Sequence, residues 1–240
     1  MPALRVCALY PDVMNIYADR GNLLVLERRC AWRGIGFELS GAGFGDRVDP
    51  DAHDLFYIGG GQDRDQELCA ADLVATKRDA LAAAAEAGKV VLGICGGYQL
   101  LGHAYELGDR EIRGLGLVDL RTVRDPGPRL IGNVAIEVDL DGGPRVLAGF
   151  ENHAGRTLLG PGEQPLGRVL SGHGNDGRSG AEGVRRGTVI GTYLHGPLLP
   201  KNAWFADWLI RTATGLDELA PLDDALEDAA HRSARRAAGR

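Results

Sequence analysis

The chain has 240 residues, 44% of them hydrophobic and 25% charged, with a formal net charge of -6. That is enough to bury one full core, and too acidic for nucleic acid to be the main partner. Its four cysteines, Cys7, Cys30, Cys69 and Cys95, are widely spaced with no CxxC pair, which argues against a disulfide framework or a metal site built on thiolates. In chain order, Leu4 to Leu9 reads as a first strand, Arg20 to Trp32 as a helix and Phe37 to Leu39 as strand-like. Leu55 to Ile58 reads as a buried strand that ends on Gly59-Gly60-Gly61. Asp65 to Ala87 reads as one alanine-rich helix, with Leu73, Val74, Lys77 and Leu81 at helical spacing and Gly88 closing it. Lys89 to Ile94 supplies the next strand. This alternation predicts an α/β fold, a mainly parallel sheet flanked by helices.

Beyond about Gly108 the second half becomes strand-rich, with runs at Gly116 to Val123, Asn133 to Val138, Gly149 to Asn152, Arg168 to Leu170 and Thr188 to Tyr193. Pro200 to Thr212 returns to a helix, Trp204, Phe205, Trp208 and Leu209 sharing one face. Residues 1–214 thus read as one domain. Residues 215–240, first acidic and then basic without a strong apolar period, read as a tail, partly disordered or in contact with a partner. No apolar run reaches the roughly 20 residues of a membrane span, and the first apolar run is too short for a signal peptide. The expected location is the cytoplasm.

The chemistry concentrates at Val90-Val-Leu-Gly-Ile-Cys95-Gly-Gly-Tyr-Gln99, an apolar run that ends on a cysteine among glycines and turns into a helix. A sharp strand-to-helix turn holds a nucleophile in a strained backbone and needs small neighbours, here Gly93, Gly96 and Gly97. The following helix aims its N–H groups at Cys95, which lowers the thiol pKa and offers donors to an oxyanion. The alternative is a buried packing thiol. Gly60, in the glycine turn expected beside this strand, and Gly96 are the candidate oxyanion donors. The glycines lack the Lys-Ser/Thr of a phosphate-binding loop. Further along, Tyr193-Leu-His195-Gly places a histidine after an apolar strand, where it can take the thiol proton and return it to a leaving amine. An ordinary surface histidine is the alternative there.

Together, Gly93-Ile-Cys95-Gly-Gly-Tyr-Gln99 and Tyr193-Leu-His195-Gly resemble the class I glutamine amidotransferase domain, in its cobyric-acid-synthase-like branch. Most class I members carry a glutamate two residues after the histidine. Here that position is Pro197, so the resemblance implies a Cys–His dyad. Within that branch, Tyr10 to Asn22, Tyr57 to Asp63 and Gly149 to Thr157 resemble the glutaminase subunits of lipid II isoglutaminyl synthase, the GatD type, with Ala18 and Ala154 where glycine is expected. The likeness runs from about Leu4 to Leu209. It implies hydrolysis of glutamine and transfer of ammonia to a Mur-ligase-like synthetase partner of the MurT type, with no cofactor on this chain and ATP and Mg on the partner. It also implies that Gln99 contacts bound glutamine and that Arg129 captures its carboxylate, a solvated loop arginine being the alternative. Glu151, Asn152 and His153 form a polar cluster that either lines the site or faces the partner. The acid that orients His195 is expected either from a residue distant in sequence, such as Glu151, or from the partner. Two rivals stay open. One is a corrinoid-type amidotransferase, expected to carry its synthetase domain on the same chain. The other is a non-catalytic scaffold with a relic elbow.

Overall fold

Runs of β-branched and large apolar residues become the central strands of the computed structural model, which describes residues 2–16, 19–140 and 142–240. Tyr17 and Ala18 of the first family-like segment lie outside the described residues. The first half runs β1 (Ala3–Leu9), α1 (Arg20–Ala31), β2 (Gly36–Ala42), β3 (Leu55–Ile58), α2 (Asp63–Asp72), α3 (Arg78–Glu86), β4 (Val90–Ile94) and α4 (Gly96–Leu101). The second half is strand-rich: β5 (Ala104–Glu106), β6 (Glu111–Arg113), β7 (Leu120–Arg124), β8 (Leu130–Asp139), β9 (Pro144–His153), β10 (Gly155–Leu159), β11 (Gly167–Ser171), β12 (Ala181–Glu182), β13 (Val184–Arg186) and β14 (Val189–Thr192). Two helices, α5 (Ala203–Thr214) and α6 (Ala225–Ala237), close the chain.

The main sheet has six strands in the order β13-β14-β4-β3-β1-β2, parallel except for β13 at one edge. Every residue of β3 and β4 is buried, as strands covered on both faces must be. Two smaller four-stranded sheets, β10-β7-β5-β6 and β12-β11-β8-β9, carry the second half. The α/β architecture with a mainly parallel sheet is therefore as expected. The decisive adjacency is β14 beside β4. It sets the chain leading to His195 next to the strand that delivers Cys95, with the Cys95 N–H donating to Thr192 O at 2.8 Å.

Strands β5, β6, β10, β12 and β13 are not among the expected runs, and other elements differ in extent or kind. The helix expected over Asp65 to Ala87 begins at Asp63 and is interrupted at Leu73–Lys77 by a π-helical turn. Leu73 and Lys77 are both buried there, and the Lys77 ammonium meets Asp72 at 2.6 Å beneath the Tyr10 ring. The strand expected from Gly116 starts at Leu120, because Gly116 takes a left-handed φ of 68° and turns the chain first. The tail is not without structure. Its helix α6 has acidic residues in the first turn and basic ones in the last, favourable for the helix dipole. Polar contacts tie this segment down: Asp224 pairs with the buried Arg29, His231 Nδ1 lies 2.8 Å from Lys201 O, and Asn133 Nδ2 donates to Ala237 O at 3.1 Å.

Candidate active site

The turn after β4 is a nucleophile elbow. Cys95 has φ 51° and ψ -104°, one of two described non-glycine residues with positive φ. That conformation costs energy and is held by its surroundings. The surroundings are tight enough to require glycine: a Cβ on Gly97 would stand 2.2 Å from Ile58 O, and one on Gly96 would stand 2.8 Å from Gly61 N. The Gly59-Gly60-Gly61 turn at the end of β3 thus packs directly against the elbow.

Cys95 opens onto a cavity of about 290 Å³ whose wall includes Gly61, Gln66, Gln99, Tyr105, Arg129 and His153. Helix α2 starts right after the glycine turn through a reciprocal cap between Gln62 and Asp65, and so brings Gln66 to this wall. Gln66 donates to Gln99 Oε1 at 2.9 Å, and Gln99 donates to Tyr193 Oη at 3.1 Å. Arg129 is oriented by Asn152, whose side-chain and main-chain oxygens accept from its guanidinium at 2.7 and 2.8 Å. Asp63, also on the wall, is itself paired with Arg124 at 2.8 Å.

The electrostatics correct one expectation. The helix was expected to lower the Cys95 pKa, yet the thiol is pushed up to about 12. Burial is the main cause and the charge of Asp19 adds to it, while the Gly96 N–H and Arg129 oppose. The helix effect is present and is outweighed. Asp19, fully buried and pushed up to about 7 by its own desolvation, accepts the Gly60 N–H at 2.6 Å. Of the two expected oxyanion donors, Gly96 is therefore turned toward the Cys95 thiol and Gly60 is engaged by a carboxylate.

His195 follows β14 in a segment braced by a second buried acid. Glu182 accepts from the Tyr193 N–H at 2.6 Å and from the Thr192 hydroxyl, and burial raises it to about 8. His195 is fully buried, bridged to Phe150 through both main-chain groups, and its pKa is lowered to about 4 by burial, with Lys201 and Arg129 adding. It stands off the cavity wall. His153 is on that wall, stacked face to face on Tyr193 at 3.5 Å, with its Nδ1 at 2.7 Å from Gly155 O. Glu151, considered as the orienting acid for His195, accepts instead from the His173 and Gly174 N–H groups and lies 4.0 Å from His153 Nε2.

Cys95, Gln99 and Arg129 are thus brought together on one cavity, Gly96 belongs to the elbow, and Gly60 and His195 sit in the layer around it. Sequence reasoning missed Asp19 and Gln66. Asp19 lies within the family-like segment Tyr10 to Asn22, and the only signal for Gln66 was its place one turn after the glycine-rich turn. Among the described residues no cluster of His, Cys, Asp and Glu is arranged to hold a metal ion, and no helix is long and apolar enough to cross a membrane.

Comparison with known proteins agrees with this geometry. Residues 5–203 match the CobB/CobQ-like glutamine amidotransferase domain. The chain is 39% identical over 212 residues to the lipid II isoglutaminyl synthase (glutamine-hydrolyzing) subunit GatD of Streptococcus pneumoniae, covering 88% of this chain and 80% of that protein. It is 39% identical over 214 residues to the Staphylococcus aureus GatD subunit, covering 89% and 85%. A cobyric acid synthase of Xanthobacter autotrophicus is 36% identical over 177 residues, but the match spans only 34% of that protein. A chain of the PurLQS structure from Thermotoga maritima shares the fold, with a TM-score of 0.61 at 21% identity over 90% of this chain and 96% of that one. With a matching family domain over most of its length and an elbow, glycine turn and cavity in the corresponding segments, the chain belongs to the CobB/CobQ-like glutamine amidotransferase family.

Proposed function

We propose that this chain is the glutaminase subunit of a two-component amidotransferase. Cys95 attacks the carboxamide of L-glutamine, His195 takes the thiol proton and returns it to the departing ammonia, and water then hydrolyses the γ-glutamyl thioester to glutamate. The observation that carries the reading is Cys95 itself, in a strained elbow conformation on a cavity that also holds Arg129, suited to the α-carboxylate. The assignment of His195 is supported by the β14–β4 adjacency and by its family-like segment. In the resting site the proton stays on sulfur, since burial raises the thiol and lowers the imidazole. Proton transfer therefore waits on substrate.

That waiting state suits a subunit whose site is completed on assembly. The ammonia would pass to a Mur-ligase-like ATP-dependent partner of the MurT type, which would hold ATP and Mg and amidate the D-glutamate of lipid II to D-isoglutamine. The names of the two GatD relatives support a glutamine-hydrolysing subunit of a lipid II isoglutaminyl synthase, and the Mur-ligase-like partner with its ATP and Mg follows from the family resemblance. The setting is then cytoplasmic, and because Pro197 stands where most class I members carry a glutamate, the acid that orients His195 in those members would here come from the partner. Glutamate release from glutamine, followed for the full chain with and without a MurT-type synthetase, tests both parts. Cys95→Ser should abolish it in either state, and wild-type turnover should rise on assembly. Substantial turnover by Cys95→Ser would refute the nucleophile, and equal wild-type rates in the two states would refute the partner-completed site.

A further inference from the structure

We infer that Gln66 Oε1 is the acceptor for an N–H of the substrate carboxamide, so that Gln66 selects the amide over the carboxylate. The inference rests on the glutaminase reading above. Gln66 is 1% exposed and forms part of the cavity wall with Cys95, and its Oε1 has no hydrogen-bond partner among the described residues. Its carboxamide carbon is 3.1 Å from where a Cβ on Gly96 would sit, which sets it beside the elbow.

The orientation of the amide is settled by its neighbours. Gly61 O is a carbonyl and only accepts, so the atom facing it at 3.3 Å is Nε2. The same Nε2 donates to Gln99 Oε1 at 2.9 Å, which leaves Gln99 Nε2 to donate to Tyr193 Oη. Tyr193 Oη in turn shares a hydrogen bond with Thr157 Oγ1 at 2.6 Å, and Thr157 Oγ1 with Thr122 Oγ1 at 2.8 Å. A flip of Gln66 would break this relay at its first member. Oε1 is therefore held as an acceptor, buried and unpaired, which is costly unless a ligand supplies a donor.

A primary carboxamide at Cys95 supplies one. Its carbonyl oxygen seeks N–H donors and its NH2 seeks acceptors, whereas the ionised carboxylate of glutamate has acceptors only. At the same place glutamate would set an oxygen against Oε1. A site built to bind a substrate N–H rejects the ligand that lacks it, and here the rejected ligand is the product.

The test is the ratio of the Ki of L-glutamate to the KM of L-glutamine, measured on the full chain in the state that turns over. Both ligands share the α-carboxylate and α-ammonium, so general damage to the site cancels in the ratio. Gln66→Met should lower this ratio on the order of tenfold, the effect of losing one buried hydrogen bond. Gln66→Glu loses the Nε2 donor to Gly61 and Gln99, as Met does, but keeps an acceptor and adds negative charge; it should keep or raise the ratio, which separates loss of the acceptor from loss of the relay and covers the case of a Met variant that does not fold. An unchanged ratio in a folded Gln66→Met, or a lowered ratio in Gln66→Glu, overturns the inference. A wild-type chain that never releases glutamate from glutamine, even with a synthetase, overturns the glutaminase reading instead.

Discussion

Replacing Asp19 by Asn should reshape the pH dependence of stability. Asp19 is fully buried, and desolvation moves it from an ordinary 3.8 up to about 7 in spite of the Gly60 N–H. The unfolded chain gives up this proton near pH 4, while the folded chain holds it to about pH 7. Between those values the folded state binds more protons, so the wild type loses stability as pH rises through the window, and the loss is complete above it. The separation of roughly three pKa units corresponds to about 4 kcal/mol, an upper figure because a buried site relaxes around a charge. Asn keeps an oxygen for the Gly60 N–H and has no proton to lose. Urea unfolding of wild type and Asp19→Asn from pH 4 to 8 measures the difference directly, since Glu182 and His153 titrate in both. The stability of the variant relative to wild type should rise from pH 4 to about pH 7 and then level off. A difference that stays flat with pH would refute the reasoning. The same change removes the negative charge that helps to raise Cys95, so alkylation of Cys95 at pH 8 should quicken in the variant.

Replacing His195 by Ala should lower glutamine turnover about a hundredfold or more, as expected for loss of a general base, in an assay of glutamate release by the assembled enzyme. If His153→Ala is the inactivating change and His195→Ala is not, the cavity-lining histidine is the base. Arg129→Ala should act chiefly on KM, since one charge-assisted pair contributes roughly 1.5–3 kcal/mol; a loss confined to kcat would contradict a role in holding the carboxylate. Arg29→Met leaves Asp224 without its guanidinium while Asp207 keeps Arg33, and should cost about 1.5–3 kcal/mol in urea unfolding, with α6 becoming more accessible to protease. Retained stability would show that these ion pairs do not hold the tail.

Glycine spacing around Cys95 and the apolar run before it were legible in the sequence because an elbow tolerates little else: Gly96 and Gly97 have no room for a side chain, and β3 and β4 are buried on both faces. The same local logic located β1 and α1 to within a residue or two and the strands β7, β8, β9, β11 and β14 of the second half to within about five, but not β5, β6, β10, β12 or β13. Arg129 and Gln99 were reached through resemblance, and the structure brings both to the cavity wall. What the chain order did not reveal was how charges are buried. Asp19 on the Gly60 N–H and Arg29 between Asp207 and Asp224 pair groups far apart in sequence, Glu182 reaches Tyr193 across a hairpin, and no periodicity marks them. Asp19 adds to the burial that raises Cys95, and the Arg29 pairing docks α6. Periodicity reports which face of an element is apolar, whereas the cost of burying a charge depends on which partners the fold brings within hydrogen-bond distance. That is settled only when the sheets are assembled.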